Sequence, residues 1–133
     1  MTDSSSLVSA DGRFDVMAAA CPTRQVVGRI GDKWTLLTLF ALGARTLRFS
    51  DLRREVDGVS QKMLTQTLRG LERDGLVSRR VYATVPPKVE YAVTPLGASL
   101  QEVIGTFRAW AYGHMDEIAS ARRCYDERDD ADA

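Results

Sequence analysis

Gln61, Lys62, Thr65, Gln66 and Arg69 follow Ser60 at spacings that would set them side by side on one face of a helix. Their chemistry is hydrogen bonding without acid: two amides, a hydroxyl, an ammonium and a guanidinium. Glutamine can pair bidentately with an adenine edge and arginine with a guanine edge, so such a face suits base reading in the major groove of DNA. Lys62 and Arg69 suit phosphate oxygens equally well. The solvated face of an ordinary amphipathic helix has the same composition, and spacing alone does not separate the two.

Other reactive side chains are few. The single histidine, His114, stands in a long helical stretch with no carboxylate or cysteine motif around it, which reads as a surface or interface residue. No phosphate loop, Gly-rich dinucleotide turn or metal-ligand spacing occurs, so neither an enzyme nor a cofactor is expected. Two cysteines, Cys21 and Cys124, are too few for a disulfide framework. Cys21 precedes Pro22 at a helix start, with Arg24 one turn along, and both influences favour thiolate. The alternative is a small buried apolar residue, a common use of cysteine. Cys124 lies among charges and lacks that context.

These groups need elements to hold them. Ser60 is a good N-cap, Leu64, Leu68 and Leu71 make the inner face, and Gly75 ends the helix where a left-handed backbone is needed. Before it, Thr46 to Phe49 reads as extended, and Ser50 is expected to cap a short helix, Asp51 to Val56. Asp57-Gly58 breaks that helix, and the pair forms a helix-turn-helix pattern. After it, Val77 to Val85 and Val89 to Val93 alternate with a period of two around Pro86-Pro87, predicting a two-stranded hairpin. Upstream, Pro22 opens one helix, and a second from near Asp32 to Gly43 is apolar nearly all round, as a central buried helix would be. Thr94-Pro95 starts a last helix expected to run to about Ala121. Its apolar stripe includes Leu100, Val103, Ile104, Phe107, Trp110 and Ala111. That stripe is wider than a small core needs, which points to a second copy of the chain; packing within the monomer is the alternative.

The fold class is therefore mainly α with a small β-hairpin: a winged helix-turn-helix with extra N- and C-terminal dimerisation helices. At 133 residues, 44% hydrophobic and 27% charged, the chain suits one globular domain. Residues 1–16 read as a flexible arm, 17–121 as the DNA-binding and dimerisation domain, and 122–133 as a frayed charged tail. With no secretory leader or membrane-length apolar run, a cytoplasmic location is expected. Net charge is zero, yet residues 44–90 hold ten Lys/Arg against six acids, a basic centre between acidic ends.

The chain resembles the HxlR-type winged-helix transcriptional regulators of bacteria. The resemblance rests on Cys21-Pro22, Asp32-Lys33-Trp34, Arg48-Phe49 with Leu52, Gly58-Val59-Ser60, Leu64-Thr65, Leu68 and Leu71-Glu72. It continues through Asp74-Gly75-Leu76-Val77, Arg79, Tyr82, Pro86-Pro87, Val89-Glu90-Tyr91, Thr94 and Leu96-Gly97. Asp32 stands where a second glycine is common in that family. The resemblance implies a homodimer on a pseudo-palindromic double-stranded DNA operator, with the helix after Gly58-Val59-Ser60 in the major groove. It also implies terminal helices that make the dimer, no bound cofactor, and an oxidant, electrophile or other small-molecule effector of unidentified kind, with Cys21 a candidate sensor.

On this reading Ser60, Gln61, Lys62, Thr65, Gln66 and Arg69 meet bases or nearby phosphates, while Arg48, Arg79, Arg80 and Lys88 hold the DNA backbone. A winged-helix module that binds protein instead of DNA is the competing reading, and salt-dependent DNA affinity discriminates the two.

Overall fold

The computed structural model describes Met17 and residues 22–132, with side chains as far as Arg128. The expected arm and Cys21 lie outside the described residues. Contacts divide the chain into two compact units, one reaching Ala98 and one from Ser99 onward.

The first unit contains α1 (Pro22–Ile30), α2 (Lys33–Leu42), β1 (Leu47–Arg48), α3 (Phe49–Glu55), α4 (Gln61–Arg73), β2 (Val77–Tyr82), β3 (Lys88–Val93) and the first turn of α5 (Pro95–Asp132). Its core gathers Leu39 and Leu42 of α2, Leu52 of α3, Leu64, Leu68 and Leu71 of α4, and Val77 of β2, all with 2% exposure or less. Each buried leucine contributes roughly 1.5–3 kcal/mol relative to exposure. Helix α2 packs on α1, α3, α4 and β3, as a central helix should. It is not buried all round, however. Thr35 and Thr38 face inward with Leu39 and Leu42, whereas Leu37 is exposed.

The sheet has three strands rather than two. Strands β2 and β3 form the expected antiparallel hairpin, with Val77 opposite Val93 and Tyr82 opposite Lys88, and β1 adds to the far edge of β3. Leu47 pairs with Tyr91 and Arg48 with Glu90. The extended segment before α3 thus gives partners to backbone groups that the hairpin would leave open.

Helix ends follow local chemistry. Helix α3 begins at Phe49, not after Ser50, because the Asp51 carboxylate accepts the Arg48 backbone N–H (3.2 Å) and so starts the helix two residues earlier. At α4, the Ser60 hydroxyl accepts from the Met63 N–H (3.1 Å). At its other end the N–H groups of Gly75 and Leu76 reach back to the carbonyls of Glu72 and Leu71, a Schellman motif with Gly75 at φ 76°. Thr94 caps α5: its hydroxyl accepts from the Gly97 N–H (3.1 Å) and donates to the Gly75 carbonyl (2.6 Å). Gly97 must be small, since a Cβ there would overlap the Leu76 carbonyl.

The second unit is the remainder of α5. It does not end near Ala121 or fray from Arg122; it runs to Asp132. After Gly113 no glycine or proline interrupts it, and Arg122 and Arg123 stand four residues before Asp126 and Glu127, spacings that support a helix. The Arg128 guanidinium lies 5.2 Å from the Tyr125 ring centre. Among the described residues no helix is long and apolar enough to cross a membrane.

Candidate nucleic-acid interface

Helices α3 and α4 are joined by a tight turn whose inner and outer residues differ. Val56 and Val59 are buried, at 2% and 7% exposure, and anchor the turn to the core. Between them Gly58 adopts φ 82°, a conformation that a side chain would strain. The turn therefore fixes the angle at which α4 leaves α3. With Leu64, Leu68 and Leu71 inward, the opposite face of α4 points to solvent.

On that face Gln61, Lys62, Gln66 and Arg69 are exposed, and no described residue forms a hydrogen bond or ion pair with their side chains. The expected face is assembled as one surface; these four residues line a single shallow concavity with Thr65. Thr65 is half-buried and donates its hydroxyl to the Gln61 carbonyl (2.8 Å), leaving its lone pairs as acceptors. The Ser60 oxygen is occupied as the cap, but its hydroxyl hydrogen remains a donor.

The wing is a different environment. Arg79 faces α4 and lines a cleft of about 260 Å³ with Thr65, Leu68, Arg69, Glu72 and Tyr91. Arg80, one residue on, belongs to the other face of the strand. There its guanidinium stands 5.0 Å from the Tyr82 ring centre and the Lys88 ammonium stands 5.2 Å from it. Lys88 also pairs with Glu90 (2.8 Å), whose second carboxylate oxygen accepts from the Tyr82 hydroxyl (3.1 Å). The hydrogen bond from Lys88, and then that from Tyr82, hold the Glu90 carboxyl below its ordinary pKa. The wing tip beyond this cluster is uncharged, and Val85 is fully exposed.

Arg48 is exposed at the β1–α3 junction, its N–H held by Asp51. That hydrogen bond, and after it the one from the Arg54 guanidinium, lower the Asp51 pKa. One cation was missed in the sequence. Arg53 is exposed beside Ser50, Arg54 and Gln61 in a concave patch at the mouth of the helix-turn-helix. Arg54 is paired with Asp51, whereas Arg53 has no such partner among the described residues. A short helix with one buried leucine shows little periodicity, so nothing in the sequence marked Arg53 as facing the N-terminus of α4.

Along α5, Val103, Phe107 and Trp110 are 64%, 59% and 54% exposed, Leu100 and Ala111 are half-buried, and Ile104 is already buried in the single chain. His114 stacks on Trp110 with centroids 4.7 Å apart, and its Nδ1 lies 2.7 Å from the Trp110 carbonyl. Cys124 is exposed on the same helix.

Comparison with known proteins agrees with this geometry. A family model described as HxlR-like helix-turn-helix matches residues 29–119. The HTH-type transcriptional regulator YtfH of Escherichia coli is 43% identical over 114 residues, covering 86% of this chain and 88% of that protein. The solved structure of ytfH from Salmonella typhimurium superposes with a TM-score of 0.76 at 40% identity, over 82% of this chain and 97% of that one. The redox regulator HypR in its reduced form gives a TM-score of 0.69 at 36% identity, over 74% and 98%.

Proposed function

This chain belongs to the HxlR-like helix-turn-helix family of DNA-binding transcriptional regulators, and we propose that it works in the cytoplasm as a homodimer on a two-fold-related operator. The observation that carries this is the outer face of α4, where four long polar side chains stand exposed and uncommitted on a helix locked at both ends. Gln61 and Gln66 read base edges, Lys62 and Arg69 reach bases or phosphates, and Ser60 and Thr65 add short contacts. Arg48, Arg79, Arg80 and Lys88, with Arg53, hold the backbone. The exposed Val103, Phe107 and Trp110 of α5 meet the second copy, which would set the half-sites ~34–36 Å apart or a multiple of that. Cys21 is the thiol through which an oxidant or electrophile acts on DNA affinity, a role in keeping with the name of the HypR neighbour.

The test is selection of bound duplexes from a random pool by the full chain, with sedimentation at micromolar concentration. A two-fold-related motif and a two-chain species are expected, and charged residues at Phe107 and Trp110 should weaken the latter. No enrichment, with no salt-dependent affinity, would instead favour a protein-binding module. Cys21→Ser should abolish any effect of mild peroxide on affinity; an equal response in both proteins would remove Cys21 from the account.

A further inference from the structure

Helix α1 has no buried residue, yet it holds the recognition helix directly. Arg29, in its last turn, pairs through Nε with the Asp74 carboxylate, which closes the C-terminal end of α4 forty-five residues later. Both side chains are partly buried, 28% and 24% exposed, so water competes weakly for the pair. The guanidinium reaches Asp74 by lying across α4 at Gly70. A Cβ at that position would overlap Nη1 of Arg29, with the central carbon also inside contact distance. Glycine inside a helix is unfavourable by its own conformational freedom, and here the missing side chain is the space that the arginine occupies. A cation beside the last turn of α4 also complements the helix dipole there.

We infer that Arg29 is a positioning residue for DNA reading: lodged over Gly70 and paired with Asp74, it sets how α4 is presented to the groove and ties α1 to that setting. This rests on the reading that α4 enters the groove. The base-reading residues lie toward the opposite end of α4, so a small rotation about the Asp74 end is amplified at Gln61 and Gln66. The pair therefore acts on the operator without touching it.

The geometry separates positioning from simple stabilisation. Gly70→Ala expels the guanidinium, so a purely structural role predicts a change in thermal stability, the lost pair opposing the gain in helix propensity, together with unchanged DNA binding. A positioning role predicts weaker operator binding in a chain that thermal unfolding shows to be fully folded. The full chain, as Arg29→Ala, Gly70→Ala and Gln66→Ala, is titrated across a salt series with the duplex recovered from the random pool and with a random-sequence duplex of equal length. Arg29→Ala and Gly70→Ala should each weaken operator binding about tenfold, within the range that residues without ligand contact can exert. Affinity for the random duplex should stay within about twofold, and the salt slope should not change, because no phosphate contact is lost. A slope flattened by about one unit in Arg29→Ala, with both duplexes weakened alike, would make Arg29 a phosphate contact and overturn the proposal. Unchanged operator affinity in Gly70→Ala beside a weakened Gln66→Ala would overturn it while leaving the α4 reading in place. An unaffected Gln66→Ala would remove the α4 reading, and the proposal with it. If Arg29→Ala does not fold, Gly70→Ala decides alone.

Discussion

On α4, Gln61, Lys62, Gln66 and Arg69 stand exposed with no side-chain partner among the described residues, whereas on the wing Arg80 and Lys88 flank Tyr82 and Lys88 is paired with Glu90. Both regions are cationic, but they hold charge in different ways. The helix keeps its backbone rigid and its outer side chains free, so each can adjust to the base it meets. The wing fixes its side chains in a cluster on one face of the sheet, which suits a contact that must be placed and need not discriminate. On the proposed reading, base reading and backbone holding are separated by what the protein itself does with each side chain.

Four predictions probe that contrast, from the largest effect down. Removing Gln61 and Gln66 together as alanines should cost roughly 1–3 kcal/mol per half-site for each residue that reads a base, with relaxed preference at the matching positions. Competition among point variants of the selected duplex measures this, and unaltered preference would deny α4 its reading role. Ser60→Ala should lower folding stability by about 1 kcal/mol through the lost cap, as chemical denaturation would register. No change would mean that the turn alone holds α4.

Glu90→Gln sharpens the other side of the contrast. It removes the acid that competes for Lys88, so affinity for every duplex should rise modestly and alike, with the salt slope near that of the unaltered chain. A loss of affinity would show that Glu90 places Lys88 productively. The smallest effect is on pH. The folded Glu90 pKa is depressed, so the cluster's contribution is present above the ordinary value of 4.5 and lost as pH falls through the lower folded value. Tyr82 ring resonances should shift in that acid window, and a shift beginning well above 4.5 would contradict the pairing.

The same contrast explains what was legible in the sequence. Ser60 and Gly75 act on groups within three or four residues, so their roles could be read from spacing, as could the alternation of β2 and β3. Strand β1 was legible as the extended segment Thr46 to Phe49, but its pairing with Glu90 and Tyr91 was not, because that is set at long range. The start of α3 was misplaced because Ser50 is a good N-cap by type, whereas the helix begins after Arg48, whose N–H is accepted by Asp51 from within the first turn. Acidic and basic residues after Ala121 suggested fraying, yet at four-residue spacing they extend the helix. The tie between Lys88 and Glu90 was within reach, since residues two apart share a face of a strand. The Arg29–Asp74 pair was not, because neither residue has a pattern that points to the other.

The division of labour between helix and wing is tested most directly by one salt series. Gln66→Ala and Lys88→Ala, as full chains, are titrated with the selected duplex, its point variants and random DNA. Gln66→Ala should lose preference among the variants with its salt slope unchanged. Lys88→Ala should weaken all duplexes about equally and flatten the slope by about one unit. The reverse pattern, base preference altered by Lys88→Ala and uniform weakening by Gln66→Ala, would contradict it.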